Sequence, residues 1–149
     1  MKPDRLNILL ADDDPDDRML IRDALEESKS PQQLTCVENG EELLEYLRHQ
    51  GSYALPNEQP RPYLILLDLN MPRKDGREAL REIKADPQLR RIPVIVLTTS
   101  QAEEDIARTY DLGASSFITK PRDFESLVSL VQTINSYWFE TVRVPALEN

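Results

Sequence analysis

The amino-acid sequence predicts an α/β domain, a doubly wound five-stranded parallel sheet with helices on both faces. Three observations carry the prediction. Short apolar runs recur at residues 7–11, 34–37, 64–67, 93–100 and 116–119. The run Leu64-Ile65-Leu66-Leu67 is too evenly apolar for a half-exposed strand and too short to cross a bilayer, so it reads as a strand covered on both sides. The intervening segments carry apolar residues at helical spacing, and strands alternating with helices are the pattern of a parallel sheet joined by crossovers.

The 149 residues suit one domain, and a chain of that size buries about two thirds of its unfolded surface without a disulfide or metal staple. The single cysteine, Cys36, excludes an intrachain disulfide and is expected as a buried, inert thiol. No apolar leader precedes the first strand, and a cytoplasmic location is expected. A formal net charge of −9 argues against binding nucleic acid or an anionic membrane. Protein partners and small ligands remain.

Taken in order, residues 7–11 form the first strand and end in Asp12-Asp13-Asp14-Pro15-Asp16-Asp17. Pro15 suits a helix's first turn and the acids favour the positive end of its dipole. A helix should therefore run to about Glu27, with Leu20, Ile21, Ala24 and Leu25 inward. The second strand follows, and Asn39-Gly40 turns the chain into a short helix over 41–48 with Leu43, Leu44 and Leu47 inward. Residues 49–62, with Gly51, Pro56, Pro60 and Pro62, form a long loop, either a binding loop or a plain surface insertion. His49, the only histidine, reads as a solvated helix end. Asp68 terminates the central strand, and Pro72 and Gly76 force a turn or loop after it. Ala79, Leu80 and Ile83 mark a helix over 77–86, ended by Pro87. The strand at 93–100 precedes a helix over 101–112 closed by Gly113. The last strand runs into Lys120-Pro121, and Asp123 caps a final helix.

Parallel strands bring their carboxyl ends to one edge, where open α/β sheets bind ligands. That edge gathers the acids at 12–14, Asp68, residues 98–100 and Lys120. Carboxylates about 4 Å apart repel by roughly 4 kcal/mol per pair at an effective dielectric near 20. Either they keep protons or a cation binds, and oxygen ligands in an open crevice suit Mg²⁺. Lys120 supplies an ammonium and Thr98 a hydroxyl where a phosphoryl group could rest. No Ser or Cys is paired with a base, so the available nucleophile is a carboxylate, which can attack phosphorus to give an acyl phosphate.

These residues carry a resemblance. Asp12-Asp13, Asp68 within Leu-Leu-Asp-Leu-Asn-Met-Pro, Asp75-Gly76, Thr98 and Lys120-Pro121 together resemble the receiver domain of two-component response regulators, over about residues 6–138. The resemblance implies the flavodoxin-like receiver fold, with Asp68 taking phosphate from the phosphohistidine of a sensor kinase. It implies Mg²⁺, or Mn²⁺ or Ca²⁺ in its place, ligated by the side chains of Asp13 and Asp68, by the Asn70 backbone carbonyl, and by Asp12 through water. Lys120 would hold the phosphoryl group, with a cis bond to Pro121; Thr98 would move toward it, and Phe117 would be the rotating aromatic of the switch. Asn70 and Ser100 match two variable positions that tune phosphate lifetime. Asp14 either shifts Mg²⁺ affinity or caps the helix. By the same resemblance the chain is no enzyme in the ordinary sense and catalyses only its own phosphorylation and dephosphorylation. A phosphatase of the haloacid dehalogenase type would need a second Asp where Asn70 stands.

The expected organisation is a single receiver domain over 1–149, with a core of about 6–138, the loop at about 49–62, a C-terminal extension at about 139–149 and no output domain. The signal would then leave through a protein partner. Apolar residues of the last helix, Phe124 to Phe139, cover an arc of about 200° where packing on a sheet needs about 100°. Either the tail (Val142, Val144, Pro145, Leu147) covers the excess or a second subunit does, and a homodimer through the last helix and its neighbours is expected. The long loop, the Thr98-Thr99-Ser100 ending and the Tyr-Trp-Phe-Glu-Thr-Val tail resemble the stand-alone regulators of cyanobacterial phytochrome-type kinases. That implies a phytochrome-type histidine kinase upstream, docking on the first helix near Arg18, Leu20 and Ile21, and a downstream protein the sequence does not identify.

Overall fold

The computed structural model describes residues 6–57 and 59–145. In chain order the elements are β1 (Asn7–Ala11), α1 (Pro15–Glu27), β2 (Gln33–Val37), α2 (Gly40–Arg48), a 3₁₀ turn (Gly51–Tyr53), β3 (Leu64–Leu67), α3 (Gly76–Ala85), β4 (Val94–Thr98), α4 (Glu103–Leu112), β5 (Ser116–Thr119), α5 (Phe124–Asn135) and a π-helical turn (Ser136–Thr141). The five strands pair in parallel in the order β2-β1-β3-β4-β5. This is the doubly wound sheet expected from the sequence.

The two-residue period of a strand divides the core. Leu9, Ala11, Ile65, Leu67, Val94 and Val96 face one layer with Leu43 and Leu47 of α2 and Leu80 and Ile83 of α3. Their alternates Ile8, Leu10, Leu64, Leu66, Ile95 and Leu97 face the other, against Ile21 and Leu25 of α1 and Leu127 and Val131 of α5. Among the described residues four of the five α-helices are capped by a side chain: Asp14, Asn39, Asp75 and Asp123 each accept a hydrogen bond from a backbone N–H in the first turn of the helix they precede, Asp123 as the sequence predicts, while α4 starts without a side-chain cap. Asp14 thereby caps α1, one of its two expected readings.

Several expectations change. The strand expected over 93–100 is regular only over Val94–Thr98. The long loop carries the 3₁₀ turn, and Tyr53 packs edge-on against the buried Tyr46, with ring centroids 5.0 Å apart, while its hydroxyl donates to Glu42 at 2.7 Å. The beginning of the loop is therefore anchored to α2. His49 is not a solvated end: it is half-buried in the left-handed region (φ 54°), with Nδ1 buried and without a hydrogen-bond partner. Cys36 is half-buried rather than buried, with Arg22 Nη2 3.5 Å from its sulfur, and burial raises the pKa of its thiol. The last helix does not continue regularly to Phe139. The wider π turn breaks the 100° spacing and seats Phe139 in the core against Tyr63, with centroids 5.0 Å apart. Phe124 and Tyr137 stay exposed, and Val142 and Val144 are half-buried. Leu147 lies outside the described residues.

Candidate functional site

Register builds the site. Ala11 pairs with Leu67, so Asp12 and Asp68 leave adjacent strands side by side. The Asp68 N–H donates to the Ala11 carbonyl at 3.0 Å, extending the ladder one step. Leu67 pairs with Val96 and Thr98 with Thr119, which brings Thr98 and Lys120 to the same edge. The Lys120 N–H donates to the Thr98 carbonyl at 2.8 Å. The strand order reverses between β1 and β3, and the crevice at such a switch point is where open sheets bind ligands.

Asp12 and Thr98 are fully buried, Asp68 is 6 % exposed, and Asp13 is exposed. Carboxylate oxygens of Asp12, Asp13 and Asp68 lie within 4.8 Å of one another. Lys120 Nζ reaches into this group, 2.7 Å from Asp12 Oδ2, 2.8 Å from Asp17 Oδ2 and 3.4 Å from Asp68 Oδ2. Burial pushes the Asp12 carboxyl up despite the hydrogen bonds from Lys120 and from the Asp14 N–H. Burial also disfavours the Lys120 ammonium, but bonds to Asp12 and Asp17 and the charges of Asp12 and Asp68 outweigh it and raise its pKa. Three carboxylates thus hold one ammonium, with the Asp13 carboxylate beside them. A hard divalent cation fits such a donor set, since carboxylate oxygens are what Mg²⁺ takes.

The loop after β3 is held by main-chain contacts. A Cβ on Gly76 would lie 2.2 Å from the Asp68 carbonyl oxygen, and one on Gly40 would lie 2.1 Å from the Lys74 carbonyl oxygen. Only glycine permits either approach. Gly76 N–H donates to Leu69 at 2.9 Å and Gly40 N–H to Lys74 at 2.9 Å, while buried Leu69 and Met71 anchor the loop from within. Asn70 stays exposed, its N–H 3.4 Å from Asp68 Oδ1.

The structure brings together Asp12, Asp13, Asp68, Thr98 and Lys120 as the sequence predicts. The expected cis bond between Lys120 and Pro121 is absent: the cis peptide among the described residues is Leu55-Pro56. Trans is the isomer an X–Pro bond favours by about 0.5–1 kcal/mol, and with it Lys120 still reaches Asp12 and Asp17. Phe117 is half-buried against the α2–α3 layer, and its N–H donates to the Tyr110 hydroxyl at 3.2 Å. Ile21 belongs to the core and Arg18 donates to the Asp12 carbonyl at 2.8 Å, so on α1 the exposed apolar residues are Met19 and Leu20.

Two features were missed. Asp17 is a third carboxylate on Lys120; it stands at the third position of α1, where side chains tilt back toward the helix start and the strand ends, and that is the signal that could have found it. Arg77 Nε and Nη2 clasp Asp105 at 2.8 and 2.9 Å, and Ser100 Oγ donates to the same carboxylate at 2.7 Å. This clasp ties the β4–α4 loop and α4 to α3. No local pattern announces a pair 28 residues apart.

A 2-1-3-4-5 parallel sheet with an acidic pair, a strand-end Asp and an opposed Lys defines a phosphoryl-receiving signalling module. The chain belongs to the response regulator receiver domain family, which matches residues 8–132. Among its relatives, the response regulator Rcp1 of Synechocystis sp. is 45% identical over 139 residues, 93% of this chain and 92% of the relative. The crystal structure of the phosphorylated cyanobacterial phytochrome response regulator RcpA superposes with a TM-score of 0.87 at 45% identity, covering 95% of this chain and 99% of that one. The Mn²⁺-bound form of Rcp1 superposes with a TM-score of 0.85 at 45% identity and the same coverage. Receiver domains bind a divalent cation, and the carboxylates of Asp12, Asp13 and Asp68 lie close enough together to fit one. Among the described residues no helix is long and apolar enough to cross a membrane.

Proposed function

We propose that this chain is a phosphorylation-driven switch in which Asp68 accepts a phosphoryl group from a phytochrome-type histidine kinase. One observation carries the reading: Asp12, Asp13, Asp68 and Lys120, far apart in sequence, meet at one switch-point crevice. An Asp68 carboxylate oxygen attacks phosphorus, the bond from phosphorus to the donor's imidazole nitrogen breaks with its electron pair going to that nitrogen, and an acyl phosphate remains. Asp12, Asp13, Asp68 and the Asn70 backbone carbonyl would hold Mg²⁺, which when bound would supply charge neutralisation to the phosphoryl oxygens. Lys120 neutralises the remaining charge and the Thr98 hydroxyl turns toward it. Movement of Thr98 frees space for Phe117, so that partners read phosphate as a change of surface. The chemistry stops at the chain's own phosphorylation and dephosphorylation.

Kinase docking falls on α1, where Met19 and Leu20 are exposed beside a groove of about 330 Å³ that Leu20 lines together with Asp17, Lys120 and Arg122. Output runs through protein contacts: a homodimer through α5 and its neighbours, supported by exposed Phe124 and Tyr137, and a downstream protein partner. The working compartment is the cytoplasm, whose reducing conditions suit the free Cys36.

The test is intact mass after incubation with Mg²⁺ and acetyl phosphate, comparing wild type with Asp68→Asn. One added phosphoryl group in the wild type, absent from the variant, is expected. An unmodified wild type with Mg²⁺ binding intact, or a variant modified as fully as wild type, overturns the assignment. Sedimentation at tens of micromolar, with and without beryllofluoride, tests the dimer; a monomer under both conditions rules it out.

A further inference from the structure

We propose that Asp17 is a positioning residue for phosphoryl transfer, a counter-ion that parks the Lys120 ammonium beside α1 and so opposes the phosphorylated state. The inference rests on the reading of Asp68 as the acceptor. Lys120 Nζ is 2.7 Å from Asp12 and 2.8 Å from Asp17, but 3.4 Å from the oxygen of Asp68 it must serve. The residue drawing it off the acceptor is fixed in place, because Asp17 lies in the first turn of α1, a helix capped by Asp14 and packed on the sheet through Ile21 and Leu25.

The three carboxylates do not hold the ammonium equally. Asp12 has no exposed side-chain surface and Asp68 8 %, whereas Asp17 is 30 % exposed. A carboxylate sealed from water loses heavily when its cation leaves; one open to water replaces the lost bond with hydration. Asp17 is therefore the partner that lets go. A phosphoryl group brings charge of about −1.5 to −2 and three acceptor oxygens to Asp68. Lys120 swings toward it by giving up the bond to Asp17 while keeping Asp12. The strength of the Lys120–Asp17 bond is then subtracted from the stability of the phosphorylated state.

The direction follows. Asp17→Asn replaces a charge-assisted bond by a weaker neutral one, so the ammonium is freer to move and the modified state gains. The probe is beryllofluoride in the presence of Mg²⁺, titrated by the fluorescence of Trp138, with the ¹⁵N signal of the Lys120 ammonium as a second readout. Asp17→Asn should bind the probe about three- to tenfold more tightly than wild type, and its Lys120 signal should differ from wild type before any probe is added. Asp17→Glu, which restores the charge, should return the affinity toward wild type; a role in packing alone would not follow charge this way. Asp17→Ser makes the same prediction as Asp17→Asn should the latter not fold. Equal or weaker binding by the folded neutral variant, or an unmoved Lys120 signal, overturns the inference. A wild type that takes up neither beryllofluoride nor phosphoryl overturns the reading of Asp68, and this inference with it; uptake by wild type with no gain in the variant overturns this inference alone.

Discussion

Replacing Asp105 by asparagine keeps the shape of the side chain and removes its charge, and should cost the fold about 2 kcal/mol at pH 7. The magnitude comes from the clasp. Hydrogen bonds from Arg77 and Ser100 hold the Asp105 carboxyl at about 2, against an ordinary 3.8. At about 1.4 kcal/mol per pH unit the difference is worth roughly 2.5 kcal/mol, and solvent screening trims it to about 2, because the Arg77 side chain is 26 % exposed. A carboxyl whose folded pKa lies below its unfolded one contributes fully above the unfolded value and progressively less as pH falls through the folded one. The cost of Asp105→Asn should thus be complete from pH 5 upward and fall to about half by pH 3. Urea unfolding at pH 7 and pH 3, with the slope checked for equality, reads it directly. A cost below about 0.5 kcal/mol at pH 7, or one unchanged between the two pH values, would refute the assignment of this energy to the charged clasp.

Three further outcomes follow from the geometry. Gly76→Ala sets a methyl 2.2 Å from the Asp68 carbonyl oxygen; it should cost about 2 kcal/mol or more and slow phosphorylation by acetyl phosphate, read by thermal unfolding and by mass. Phe139→Ala empties a site buried against Tyr63 and the α1–α5 layer and should cost about 3–5 kcal/mol, measured by urea unfolding. Mg²⁺ at about a hundred times its dissociation constant should stabilise the fold by about 2.7 kcal/mol, a gain sharply reduced in Asp13→Asn and measurable by calorimetry.

Much of this was legible because it is local. The bounds of β1, β3 and β5 follow from where apolar runs begin and end, and Pro15, Asn39 and Asp123 mark helix starts through backbone chemistry that acts within four residues. The site was legible because parallel strands carry their last residues to one edge, so topology alone assembles Asp12, Asp68, Thr98 and Lys120. What escaped depends on side-chain reach or on broken regularity. Asp17 and Lys120 meet across 103 positions, and the reach of a lysine is not written in spacing. The π turn at Ser136 adds a residue to the helical period, which removes Phe139 from the stripe that 100° steps assign it. The anchoring of Tyr53 on Tyr46 needs the fold before it can be seen.

The loop that carries the acceptor takes its path from two places where glycine lets backbone touch backbone, at Gly40 and at Gly76. At its rim the Asn70 side chain is exposed, while Arg73, in the left-handed region at φ 65°, reaches the Glu41 carboxylate at 3.2 Å. The main chain thus holds the end of β3 in place through contacts that need no side chain, so a change of the Asn70 side chain should leave the path of the loop, and the placing of the Asp68 carboxylate, as they are.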